Sequence, residues 1–141
     1  MRKFMRKFVL AGVLSTAGLG GSLPVLAQDL TPFQGVIDGQ LKAFQDGDVR
    51  GAWAYASPMI QGLFGSPQNF GIMVQRGYPM VWDNARVEYL ESEEASGSVF
   101  QKVRIYDEKG AAHDLLYQMT QGASGWRING VRLLAKPDLG V

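Results

Sequence analysis

Residues 99–134 read VFQKVRIYDEKGAAHDLLYQMTQGASGWRINGVRLL, and their apolar side chains recur with a period of two. Val99, Gln101, Val103 and Ile105 alternate with polar neighbours, so the segment Val99 to Tyr106 predicts a strand with one buried face. Asp107-Glu108-Lys109-Gly110 predicts a hairpin loop leading into a second strand, His113 to Met119. Gln121 to Gly125 predicts the next turn, and Trp126 to Leu134 a third strand. Within that last strand the alternation of Trp126 and Ile128 resumes at Val131 and Leu133, so Gly130 marks a bulge or sharp bend. Upstream, Val87 and Tyr89 alternate with Arg86 and Glu88, and Ser96-Gly97 closes a turn before Val99. The reading is an antiparallel meander of about four strands.

Ahead of the strands the period is helical. Thr31-Pro32 offers an N-cap hydroxyl followed by proline at the first helical position, where a missing N–H costs nothing. Phe33, Val36, Ile37, Leu41 and Phe44 then form one stripe, with Gln34, Asp38, Lys42 and Gln45 expected to face away, until Asp46-Gly47-Asp48 ends the helix. Asp48 can cap a second helix from Val49 to Ala56. After Ser57-Pro58 a third apolar piece runs from Met59 to Phe64 and stops at Gly65. Ser66-Pro67 repeats the cap-plus-proline start for a helix over Asn69 to Gln75, and Gly77 and Pro79 are expected to end helical structure, with strands from Met80 onward.

Helices followed by a bent antiparallel sheet predict an α+β fold in which the N-terminal helices pack on one face of the sheet and the sheet wraps the first helix like a cone. The phrases LKAFQDGDVRGAWAYASP (residues 41–58) and YQMTQGASGWRINGVRL (residues 117–133) resemble the nuclear transport factor two-like superfamily, also called SnoaL-like or cystatin-like; AFQDGD and GWRINGV carry the likeness. More narrowly, AWAYASPMIQGLFGSPQNFGIMV followed by GYP is similar to an uncharacterised bacterial secreted group, the domain-of-unknown-function family numbered 4864. The resemblance spans Phe33 to Leu134 and implies the fold. It implies no chemistry at named positions.

The first residues differ from the rest. Arg2-Lys3 and Arg6-Lys7 precede an uncharged run from Phe8 to Gln28, the pattern of a secretory signal peptide. Its apolar part is too short and glycine-rich to span about 30 Å of hydrocarbon, so no stable membrane anchor is expected. Val25-Leu26-Ala27 places cleavage after Ala27, which makes residues 1–27 a leader, residues 28–141 a single domain, and the working protein periplasmic or secreted. The leader carries four of the fourteen Lys and Arg and none of the thirteen Asp and Glu, so residues 28–141 have a formal charge of −3 (10 − 13). A mildly acidic domain has no long-range attraction for phosphate backbones, and nucleic acid is not an expected partner. The chain has no cysteine, so stability must come from the core rather than from disulfides.

Residue chemistry narrows function by elimination. His113 is the one histidine and cysteine is absent, so a zinc site lacks ligands. Glu91, Glu93 and Glu94 read as a solvated run near a turn. Asp114 adjoins His113, but neighbours on a strand point to opposite faces and cannot orient one another for nucleophilic catalysis. GDVRG at residues 47–51 lacks the lysine and context of a phosphate loop. No metal or other cofactor is expected. By strand parity Val87 and Tyr89 oppose Glu88, while Leu115, Tyr117 and Met119 oppose Asp114, Leu116 and Gln118, which puts the assignable carboxylates away from the aromatic side.

What is left is an aromatic and methionine-rich helical segment. Trp53, Tyr55, Phe70, Tyr78, Trp82 and Tyr117 are the candidate lining of an apolar pocket between helices and sheet, with phenol or indole tips to orient a ligand. The expected function is a small-ligand-binding or protein-interaction module taking a small apolar ligand. The alternative is a cofactor-independent lyase or isomerase in the same cavity, marked by a buried carboxylate within reach of a tyrosine hydroxyl. A homodimer through the outer sheet face, using Val103, Ile105, Leu116 and Trp126 or their neighbours, is compatible with either.

Overall fold

The computed structural model describes residues 29–135. The leader and its cleavage point at Ala27 lie outside the described residues. Five helices precede four strands: α1 (Pro32–Gln45), α2 (Val49–Trp53), α3 (Pro58–Phe64), α4 (Pro67–Gly77), α5 (Pro79–Trp82), β1 (Asn84–Ala95), β2 (Ser98–Asp107), β3 (Ala112–Gly122) and β4 (Gly125–Leu133). The fold is α+β, and the four antiparallel strands lie in the order β1-β2-β3-β4. β1 and β4 are the edges, so the sheet is open rather than closed.

Capping chemistry sets the helix starts. The Thr31 hydroxyl accepts from the Gln34 N–H at 3.1 Å while the Gln34 side chain accepts from the Thr31 N–H at 3.1 Å, a reciprocal capping box. Asp48, Ser57 and Ser66 each accept from the N–H three residues on, at 2.9, 3.2 and 3.1 Å. Each such cap is worth about 1 kcal/mol. Two helical expectations are corrected. α2 ends at Trp53 rather than Ala56, because Tyr55 and Ser57 turn to pair with β4: the Ile128 N–H donates to the Tyr55 carbonyl and the Ser57 N–H to the Ile128 carbonyl. Pro79 does not end helical structure but opens α5, since proline is well suited to a first helical position.

Ile37, Leu41 and Phe44 of α1 lie in one apolar cluster with Val103, Ile105, Leu115, Tyr117 and Met119 of the sheet, and Phe33 and Val36 pack against its edge. The helical side of α1 is less polar-outward than expected. Gln40 is buried and donates its amide to the Ala52 carbonyl at 3.1 Å. Gln34 donates to the buried Gln101 at 2.9 Å, and Gln101 in turn donates to the Leu90 carbonyl where β1 slips register between Tyr89 and Ser92. Gln101 thus satisfies backbone carbonyls that the β1 irregularity leaves unpaired, and Gln34 holds it in place. The bulge expected at Gly130 falls one residue earlier: Gln118 pairs with Gly130 and Met119 with Ile128, leaving Asn129 as the extra residue, held by a 2.7 Å bond from the Ser57 hydroxyl.

Candidate functional site

Between α1, α3 and α4 on one side and β3 and β4 on the other lies a cavity of about 220 Å³. α1 contributes Gln40 and Phe44; the α3 segment contributes Ala56, Ile60, Leu63 and Phe64; α4 contributes Phe70, Met73 and Val74. Tyr78 and Val81 close one end, and Tyr117, Ile128, Gly130 and Val131 form the sheet side. The β4 bulge matters here, because it restores Val131 to the inward face beside its ladder partner Tyr117. Leu63 both lines the cavity and is 70% exposed, which locates the mouth at α3, and Met59 and Ile72 are exposed nearby in sequence on α3 and α4.

The wall holds three polar side chains. The Gln40 amide is spent on Ala52, and the Tyr78 hydroxyl donates to the Val131 carbonyl at 3.0 Å. Tyr117 differs: its side chain is fully buried and its hydroxyl has no hydrogen-bond partner among the described residues. Burial, with a smaller contribution from Tyr78, pushes this phenol well above its ordinary ionisation range, so it is a neutral donor. Buried polar groups are nearly always paired, so this hydroxyl is an exception, and at 0% exposure the side chain offers no surface that a water-sized group in the cavity can reach.

Of the six residues expected to line the pocket, Phe70, Tyr78 and Tyr117 do so. The other three stand behind the wall. Trp53 packs edge-on against Phe70 with ring centroids 5.6 Å apart. Tyr55 lies across α1 at Gly39, where a Cβ would come within 2.5 Å of its hydroxyl, and Trp82 tilts against Phe44 at 5.6 Å. The missed lining is mainly aliphatic: Ile60, Met73, Val74, Ile128 and Val131. Ile128 and Val131 carried a signal, since the alternation along the last strand already grouped them; Ile60, Met73 and Val74 are apolar helical positions whose place depends on how α3 and α4 meet the sheet.

The remaining titratable groups sit outside the cavity. His113 bonds Asp107 across the β2–β3 hairpin at 2.9 Å, a partner that spacing did not suggest, and Asp114 points the other way. His113 and the backbone N–H of Ala111 hold the Asp107 carboxyl below its usual range. On the outer face Arg104 grips Asp114 with two bonds of 2.7 and 3.0 Å, which holds that carboxyl low and leaves it buried under the guanidinium. Tyrosine–carboxylate pairs do occur, Tyr89 with Asp38 at 3.4 Å and Tyr106 with Glu88 at 3.3 Å. Neither lines the cavity, and Asp83, which falls where strands were expected from Met80 onward, caps the end of α5. Glu91, Glu93 and Glu94 are exposed within β1. No group of three His, Asp or Glu among the described residues is arranged to hold a metal.

The proposed dimer residues are corrected. Val103 and Ile105 are fully buried on the inner, helix-covered face, and Trp126 packs on Phe33 at 5.4 Å. Leu116 alone of the four is on the outer face, which is dominated by charged side chains such as Lys102 and Arg104.

An open antiparallel sheet with helices on one face and an apolar cavity between the layers defines an α+β domain with an internal pocket. Residues 26–141 match the model of the family described as Domain of unknown function (DUF4864), and the chain belongs to that family. No curated protein matches the chain.

Proposed function

We propose that this protein is a secreted binding module, a member of the nuclear transport factor two-like superfamily, that takes a small apolar ligand in the cavity between α3–α4 and β3–β4. The observation that carries the reading is the cavity of about 220 Å³ itself, walled almost wholly by apolar side chains and open at the exposed Leu63. Ser57, Asn129 and Tyr78 hold the frame around it through bonds already made within the chain.

Lyase or isomerase chemistry in this cavity would need a general base, and among the described residues no carboxylate or imidazole lines it. Binding therefore fits better than turnover. Secretion rests on the basic and apolar leader, and intact mass of the product beginning at Gln28 is its test. The binding reading is tested by native mass spectrometry of protein released from its producing cell without denaturation. A small-molecule adduct that disappears in an Ile60→Trp variant supports it. An adduct-free wild type that also gains no stability from any apolar probe of suitable size rejects it.

A further inference from the structure

Between Asp48 and Asp83 the chain holds no Asp, Glu or Lys, and its charges there are Arg50 and Arg76. This stretch, α2 to α5, carries +2, while the rest of residues 28–141 carries −5 (−3 − 2). It is also where apolar side chains meet solvent. Of the five exposed large hydrophobic residues among the described residues, three lie on α3 and α4: Met59, Leu63 and Ile72, at 56%, 70% and 46% exposure. Single exposed apolar residues are ordinary, but a group of them on the helices that frame the mouth of an apolar cavity marks a contact surface. Met59 and Leu63 are one turn apart on α3, which is tied to α4 by the edge contact of Phe64 with Phe70, 6.0 Å between ring centroids. Ile72 and Arg76 are one turn apart on α4. Arg50 follows Val49, which abuts α4 at Gly71, where a Cβ would meet it at 3.0 Å. Neither arginine is in an ion pair among the described residues.

The partner of such a face has to be apolar where Met59, Leu63 and Ile72 meet it and anionic where the two arginines do. A second copy of this chain does not fit, because a two-fold axis through the face sets these arginines against each other with no acid from α2–α5 to separate them. A folded partner protein would also stopper the cavity at Leu63. An anionic bilayer supplies both chemistries, phosphate at its surface and hydrocarbon a few ångströms below, and an apolar ligand dissolved in it reaches the mouth without crossing water. We infer that the α3–α4 face, with Arg50 and Arg76 beside it, docks on an anionic lipid surface with the cavity mouth toward the bilayer. Three apolar side chains and two cations give reversible attachment, and the −5 of the remaining domain holds the rest of the molecule off the membrane. Docking stands on the surface alone; only the delivery of a ligand rests on the cavity being a ligand site.

Flotation with vesicles of mixed phosphatidylethanolamine and phosphatidylglycerol, against vesicles of phosphatidylcholine alone, tests the docking. The wild type is expected to float with the anionic vesicles and more weakly with the neutral ones. Met59→Glu combined with Ile72→Glu, both at exposed positions outside the cavity lining, is expected to weaken partition at least about tenfold. Arg76→Gln is expected to weaken it about fivefold on anionic vesicles and to leave it unchanged on neutral ones. Leu133→Glu, at an exposed apolar position on β4, is the control and is expected to change nothing. No flotation of the wild type, or equal flotation of the wild type and the double variant, overturns the inference. So does sedimentation showing a dimer that the double variant abolishes, which would give the face to a second copy. The cavity is read separately, without vesicles, by titration with acetophenone: a cavity of about 150 Å³ accommodates benzene, and this one measures about 220 Å³. Acetophenone binding equally to the wild type and the double variant while neither floats rejects docking and keeps the cavity; flotation without acetophenone binding keeps docking and rejects the cavity.

Discussion

Replacing Tyr117 by Phe should leave the ligand-free protein as stable as the wild type or more stable, the reverse of what a tyrosine at 0% exposure ordinarily does. The hydroxyl is buried and unpartnered, so its removal abolishes a desolvation penalty of about 1–3 kcal/mol. Against that stands the packing of one oxygen, a handful of contacts worth about 0.1–0.2 kcal/mol each. The net gain is roughly 0.5–2 kcal/mol. For a domain of about a hundred residues, 1 kcal/mol moves the melting temperature by about 4–8 °C. Tyr78→Phe is the internal control, because its hydroxyl is bonded to the Val131 carbonyl and its loss should cost about 0.5–1.5 kcal/mol. Urea unfolding followed by tryptophan fluorescence and thermal melts read both variants. A loss of more than about 1 kcal/mol for Tyr117→Phe, equal to that of Tyr78→Phe, would mean that Tyr117 is satisfied in solution, and the argument from an orphan hydroxyl would fall.

Leu41→Ala should cost about 2–5 kcal/mol, since Leu41 is 1% exposed at the centre of the α1–sheet contact; a loss under about half a kcal/mol in urea unfolding would put α1 on the wrong face. Acid should weaken the fold through Asp107 and Asp114. Both carboxyls are held below their unfolded value of about 3.9, so their contributions are complete above that value and are lost as pH falls through the lower folded values. Asp114→Asn should therefore flatten the decline of unfolding free energy between about pH 4 and 2, and an unchanged slope would show that Arg104 does not hold the charge. α3 has no fully buried residue and ends at Gly65 in the left-handed region, φ 81°. Its amides should exchange faster than those of β2 and slow when acetophenone is added; protection equal to β2 in the free protein would show that α3 does not open at the cavity mouth.

The fold was legible because several local signals agreed. Cap-plus-proline pairs at Thr31, Ser57 and Ser66 fixed helix starts, and the period-two pattern from Val99 onward fixed strands and grouped Leu115, Tyr117 and Met119 on one face. Pro79 misled, since the same residue that breaks a helix interior starts one equally well. The dimer residues failed for a related reason: Val103 and Ile105 were apolar, and periodicity shows which residues share a face but not which face the helices cover. The site was half legible. Large aromatics draw the eye, yet Trp53, Tyr55 and Trp82 buttress the wall while Ile60, Val74 and Val131 form it. Which hydroxyl would lack a partner is a tertiary property, and no spacing in the sequence announces it.

The most direct measurement is a methyl nuclear magnetic resonance titration of the protein with acetophenone, because it detects binding and locates it together. Saturable shifts are predicted at Ile60, Met73, Val74 and Val131, which line the cavity, with Leu116 on the outer face unmoved. Shifts confined to Leu116 and its neighbours, or none at the limit of solubility, would contradict a ligand site between α3–α4 and the sheet.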